Sequence, residues 1–461
     1  MYKEKLVKKN IFLFFSMRKK RLFSAKKPTT RACAKSVLRS IDQVLKLHIP
    51  IFFQRLENIP DHRKHKEYKV SEIIMAGIFM FIAKSPSRNN FNILRSEKKI
   101  QKNYKRLFNM NLPHLDTVED FMRLLDAKEL ELLTASVMAS LIEKKTFYRF
   151  KFLGSHYCIA IDGTGVNSYS SDYCGECLSK AHKNVTTYHH MVLEAKLVCS
   201  NGLTMSLGTE WIENSDSVTG NKQDCEQNAF KRLAVKIKKN FPRLPITILA
   251  DGLYPNQGFF KICQENNWNF ILTFKDGSLK TIQEEIMLLG KINAFGKYLK
   301  QDKKGDAYYN WTNNLDYHGH SLNWVSYEKV HFNDPKKDYF VYITNLEISR
   351  NNVQEIVESG RMRWNIEIHG FDHQKNHGYN LGHKFSRVSY PALKNYYQCM
   401  QLSHIIEQLA LLSLPVASML EKAATSIIQC WERIRAYLME RVVKKEIIAS
   451  WTKQKFQLRL I

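Results

Sequence analysis

Two short apolar runs in this chain each lead into an aspartate followed by glycine, YCIAID-Gly at Asp162 and ITILAD-Gly at Asp251. An aspartate just beyond an apolar strand projects from a sheet edge while the strand ladder fixes its backbone. Two such carboxylates, joined by a third from a packed helix, form a hard-oxygen site for two Mg²⁺ or Mn²⁺ ions roughly 3.5 to 4 Å apart. One ion lowers the pKa of an attacking water or hydroxyl and the other stabilises the leaving oxygen, which is the chemistry of phosphodiesters. The plainer role for each aspartate is to cap a turn, helped by the glycine after it.

The third carboxylate stands in RMRWNIEIHGFDHQKNHGYNLGH, where Arg363 and Glu367 are four apart and share a helix face. Trp364, Ile366 and Phe371 are spaced to anchor that helix to a core. Lys375, about two turns beyond Glu367, is placed for a phosphate. The plainer account is an ion pair on an amphipathic helix. Between the two aspartate strands, Lys222, Asp224, Glu226 and Arg232 surround a helix start, with acids early and Arg232 later, as the helix dipole favours. Glu210 and Glu213 before them suit a solvated strand edge.

Cys174-Gly175-Glu176-Cys177 has the spacing of half a zinc site, and His182, His189 and His190 are the nearby histidines that would complete it as a structural zinc. Free thiols are the competing account. The nine cysteines are scattered and odd in number, which points to a reducing, cytoplasmic compartment rather than a disulfide framework.

The elements needed to hold these residues can be read from periodicity. Residues 34–150 are helical in pattern: VSEIIMAGIFMFIAK (70–84) has too few polar positions for an exposed helix and stops before Pro86, and ILRSEKKIQKNYKRLF has a basic and an apolar face. Asp116 with Glu119 has the spacing of a capping box. From residue 157 the order becomes strand, hairpin around Asn201-Gly202, helix over about 222–239, strand, helix from Asn256, strand. This is a mixed α/β sheet. Residues 285–350 alternate and are rich in aromatics, a β-rich insertion ahead of a helix from near Asn352 to about His377. Helices at about 391–413 and 415–445, parted at Pro415, follow.

The expected organisation is a basic arm (1–33), a helical module (34–150), an α/β segment (151–284), the insertion (285–350), a second segment with the third-carboxylate helix (351–385) and a helical C-terminal region (386–461). The arm holds ten of its basic residues and one acid within residues 1–30. Across 461 residues, 70 Lys and Arg against 44 Asp and Glu give a net charge of +26, a balance that favours a polyanionic partner. No apolar run approaches the roughly 18 residues that span a bilayer, so no membrane partner is expected.

These segments together resemble the DDE transposases of bacterial insertion sequences. The resemblance is to the branch whose third carboxylate lies in a Tyr-x-x-Arg-x-x-x-Glu-x-x-x-x-x-x-Lys helix. It is carried by AIDGTG at Asp162, LADGLYPNQGFF at Asp251 and the segment around Glu367, with IPDHRKHKEYKVSEIIMAGIFMF and LPHLDTVEDFMRLLD as weaker support. It implies an RNase H-like domain interrupted by a β insertion, with Asp162, Asp251 and Glu367 binding two divalent metals and Arg363 and Lys375 holding DNA phosphates. It further implies an aromatic offered to a flipped base, for which Trp311 and Trp324 are candidates, and a homodimer on double-stranded DNA. The chain departs from the pattern twice: Gly360 occupies the tyrosine position, and Gln374 stands where the lysine is expected, one residue before Lys375.

Overall fold

The structure, a computed structural model, describes residues 30–171, 174–183, 185–214, 223–332, 337–423, 426–453 and 458–460. Most of the basic arm, and Lys222, lie outside the described residues. The chain divides into two compact units: the residues through Thr146 together with Asp372–Ile461, and Phe147–Phe371 between them. The helical modules at the two ends of the chain, read separately in the sequence, thus belong to one unit. The boundary at residue 372 also divides the segment 351–385.

The N-terminal helices are α1 (Thr30–Gln43), α2 (Ile51–Glu57), α3 (Val70–Ile82), α4 (Arg88–Ser96), α5 (Lys98–Phe108), α6 (Leu115–Leu124) and α7 (Ala127–Glu143). Every residue of α3 is buried, as its composition requires. Its one acid, Glu72, is satisfied by the backbone N–H groups of Lys69 (3.1 Å) and Asn111 (2.7 Å). The basic amphipathic stretch is two helices rather than one, broken at the extended Glu97. The capping box at Asp116 does not form. His114 is the N-cap of α6, its ring accepting from the Asp116 N–H, while Glu119 is buried and takes Arg88 (3.3 Å), Arg123 (3.2 Å) and Ser386 (2.7 Å).

The middle unit is built on a ten-stranded mixed sheet: β1 (Tyr157–Tyr169), β2 (Leu178–His182), β3 (Val185–Val198), β4 (Thr204–Ile212), β5 (Ile246–Ala250), β6 (Asn269–Thr273), β7 (Gly296–Asp302), β8 (Gly305–Tyr317), β9 (His320–His331) and β10 (Lys337–Thr344). The order is β2-β3-β1-β5-β6-β10-β9-β8-β7, with β4 on β3. β1, β3 and β4 form an antiparallel meander, turning at Gly202 with φ of 85°, whereas β1, β5 and β6 are parallel. The expected sequence of elements from 157 to 273 is present, with α8 (Glu226–Asn240) and α9 (Gln257–Asn266) as its helices.

The aromatic-rich segment is β-rich, but it is continuous with the main sheet through antiparallel pairing of β10 with β6. Helix α10 (Lys280–Lys291) spans its expected start at 285. Then come α11 (Val353–Met362) and a π-helical stretch, Ile366–Asp372, so the predicted continuous helix to His377 is interrupted. One face of the sheet, with Ala160, Leu249, Ile271 and Tyr342, packs against Ile356, Ile366 and Phe371.

The chain ends in α12 (His373–Asn376), α13 (Tyr390–Leu411), α14 (Leu414–Ala423), α15 (Ile427–Glu440) and α16 (Lys445–Lys453). Pro415 is the second residue of α14, where its missing N–H costs nothing. The predicted single helix from 415 to 445 is therefore divided. No helix among the described residues is long and apolar enough to cross a membrane.

Candidate active site

Ala160 of β1 pairs with Leu249 of β5, and Asp162 and Asp251 each follow two residues later on these adjacent parallel strands. β5 ends at Ala250, whereas β1 runs on to Tyr169 along β3. Asp162 therefore sits in mid-strand rather than at a strand end, at the level where its neighbour on one side has stopped. Both aspartates also do local work: Asp162 Oδ1 accepts from the Gly163 N–H (3.0 Å) and Asp251 Oδ1 from the Leu253 N–H (2.9 Å). Lys275 lies 3.3 Å from Asp251 Oδ2.

Glu367 is held from below by Ile366 and Phe371, both buried in the core, while its own side chain is half exposed. Trp364, expected to anchor the same segment, is instead 45% exposed, because the backbone leaves α11 at Arg363 and turns that side chain outward. Arg363 connects the carboxylates. Its Nη2 is 2.8 Å from Glu367 Oε1 and its Nη1 is 3.5 Å from Asp162 Oδ2. Its buried Nε has no hydrogen-bond partner among the described residues.

A fourth acid belongs to this site. Glu226 is the first residue of α8, and its carboxylate lies against Gly163, where a Cβ would collide with it. Burial raises the Glu226 pKa, and the charge of Asp251 raises it further. Asp162 is pushed up to about 7 by burial, opposed by Arg363 and assisted by Glu367 and Glu226. The Tyr254 phenol is raised by burial and then by Glu226, Asp162 and Asp251. In the sequence Glu226 had only the signature of a helix-dipole partner, since nothing local reveals that Gly163 leaves room for it.

Crowded carboxylates of one sign are what a divalent cation relieves. The donor chemistry therefore fits Mg²⁺ or Mn²⁺. The trio does not close on a single point, however: the described residues hold one set of three or more Asp, Glu, His or Cys donors within 4.8 Å of one another, and it is Cys174, Cys177 and His190. Arg363 fills the interval between Asp162 and Glu367, making an internal ion pair where a phosphate contact was expected.

Both departures from the resemblance have structural reasons. A Cβ on Gly360 would meet the buried ring of Tyr342 at 2.8 Å, so β10 already supplies an aromatic there. Gln374 is fully buried and bonds Gln401 (2.9 Å) and His404 (3.2 Å), a place where a lysine would strand its charge, while Lys375 is exposed on α12. Trp324 is buried with its ring tilted against Phe295, and Trp311, only partly buried, covers Gly296 beside the sheet core. Glu210 is not a solvated edge residue but pairs with Arg232 (2.7 Å) and Lys236 (2.7 Å). No protein-family model matches the chain, and no curated protein matches it.

Proposed function

We propose that the chain is a DDE transposase, binding two Mg²⁺ or Mn²⁺ ions with Asp162, Asp251 and Glu367, that cuts transposon ends and joins them to target DNA. The observation that carries this reading is the gathering of four acids, Asp162, Glu226, Asp251 and Glu367, from four separated segments of sequence near the open level of β1, with Arg363 bridging Asp162 and Glu367. The mixed sheet, its meander continuing into parallel strands, supports an RNase H-like domain. The charge of +26 supports double-stranded DNA as partner.

Bound metals would supply an activated nucleophile and charge at the leaving oxygen. In cleavage a water oxygen bonds to phosphorus and the 3′-oxygen leaves as a hydroxyl. In strand transfer that 3′-hydroxyl bonds a target phosphorus and the target's own 3′-oxygen leaves. Asp162, whose pKa burial pushes up to about 7, would bind a cation as the ionised carboxylate, its proton passing to solvent. With the carboxylates holding a cation, Arg363 would be available to a phosphate, and Lys375 would be a second phosphate contact. A homodimer would bring two ends together.

The test is incubation of the protein with paired element ends, target DNA and Mg²⁺. Joined products are expected, and Asp162→Asn or Glu367→Gln should abolish cutting while end binding persists. Normal cutting by either variant would place the chemistry elsewhere, and cut but unjoined DNA would mark a nuclease. One observation favours a second reading, a transposase-derived DNA-binding protein: the Arg363 bridge neutralises two of the three carboxylates. Binding of ends with no Mg²⁺-dependent cleavage would support it.

A further inference from the structure

The turn between β1 and β2, with the middle of β3, carries a donor cluster that the carboxylate site does not use. Cys174 Sγ lies 3.3 Å from Cys177 Sγ, and His190 Nε2 lies 3.2 Å from the first and 3.4 Å from the second. The turn itself makes this possible. The Cys177 N–H donates to the Cys174 carbonyl (3.1 Å), curling both thiols to one side. β3 delivers the imidazole: His190 pairs with Asn167 across the ladder with β1, and its ring is fully buried beside Tyr169. Strand alternation sends His189 to the other face, and His182 is exposed, so only one of the three nearby histidines joins the thiols.

The triangle has the dimensions of a zinc site. Bonds of about 2.3 Å to thiolate and about 2.0 Å to imidazole, at tetrahedral angles, require edges of roughly 3.8 Å between sulfurs and roughly 3.5 Å from sulfur to nitrogen. The observed edges are slightly shorter, and small rotations of the two cysteine side chains open them. Two thiolates and an imidazole select a borderline-soft ion, in contrast to the oxygen donors around Asp162.

We propose that Cys174, Cys177 and His190 bind a structural Zn²⁺, its fourth position completed by an oxygen donor. Binding converts two thiols to thiolates and releases two protons to solvent. The ion fastens more than its own turn. Asn214 donates to the Cys177 carbonyl (2.5 Å), and Gln223 exchanges two hydrogen bonds with the backbone of Ser179 (2.5 and 2.9 Å). One end of the connection from β4 to α8 thus rests on the zinc-bearing turn and the other on β2 directly after it, and Glu226 follows three residues after Gln223.

The full-length protein, purified under reducing conditions and dialysed against Mg²⁺ buffer, is expected to retain one zinc per chain by elemental analysis. Exchange for Co²⁺ should produce the sulfur-to-metal charge-transfer band and intense visible bands of a tetrahedral thiolate site. Cys174→Ser, at the least buried ligand, should lose the metal and that spectrum, whereas Cys225→Ser, an exposed thiol outside the cluster, should keep both. Should Cys174→Ser fail to fold, a chelator applied to the unaltered protein provides the check: metal release should be accompanied by the appearance of two thiols newly reactive to an alkylating reagent. Zinc absent from the folded, reduced protein, zinc retained by folded Cys174→Ser, or metal release without new thiol reactivity would overturn the assignment. A Cys174–Cys177 disulfide in the reduced preparation would also overturn it.

Discussion

At the scale of single residues, Asp162 is held in a state that opposes folding when ionised. Its pKa rises from 3.8 to about 7 on folding, so the native state binds the proton more tightly than the unfolded chain. The favourable contribution of that proton is complete below the unfolded carboxylate range and disappears as pH rises through about 7. Asn at this position never ionises. Asp162→Asn is therefore expected to gain stability relative to the unaltered, metal-free protein as pH rises through that window, by roughly 1 to 3 kcal/mol after allowance for its partial exposure. Denaturant melts of both proteins at acid and at slightly alkaline pH measure the gap, and a gap that stays constant with pH would contradict the burial of a strained carboxylate. Glu226 shows why this electrostatic setting was only partly legible: the acids at Asp162, Asp251 and Glu367 each follow or sit in an apolar run, but Glu226 looks like any acid at a helix start.

Between elements, α11 fits closely on β10 in the middle unit. Gly360 lets the helix lie against the Tyr342 ring, which is 4% exposed and cannot swing away. Gly360→Ala should cost roughly 1 to 3 kcal/mol by overpacking, despite the better helix propensity of alanine. Adding Tyr342→Leu should recover part of the loss. Thermal melts of the single and double variants test this, and a stabilised Gly360→Ala would refute the contact. Most of this unit could be read in advance, because alternation, the Asn201-Gly202 turn and the Asn256 cap are local signals. Other features could not. The second half of β1, GTGVNSY, has no strand-like pattern and is a strand because β3 pairs with it. The departure from helix at Arg363 has no proline to announce it, since the following stretch is set by how Ile366 and Phe371 reach the core.

At the scale of the whole molecule, the least legible fact was that the helices from both ends of the chain fold as one unit. Local periodicity found those helices but not their partners. Lys84 pairs with Glu407, which also takes the Trp431 indole N–H (2.7 Å), and Asn103 donates to the Leu438 carbonyl (2.8 Å). Such bonds cross more than three hundred positions of sequence in the first and last cases and leave no short-range trace. The fusion of β10 to β6 is equally non-local. β6 is a short apolar strand, NFILT, and with β5 on one side it depends on β10 to satisfy its other edge. Excision of residues 296–344 would bare that row of amides and carbonyls, a template for self-association. The shortened protein should elute in the void volume of a sizing column, and a monodisperse product would show that β6 tolerates a naked edge. The hairpins ahead of Glu367 thus act as a cover for β6, keeping from other chains an edge whose exposure would invite self-association.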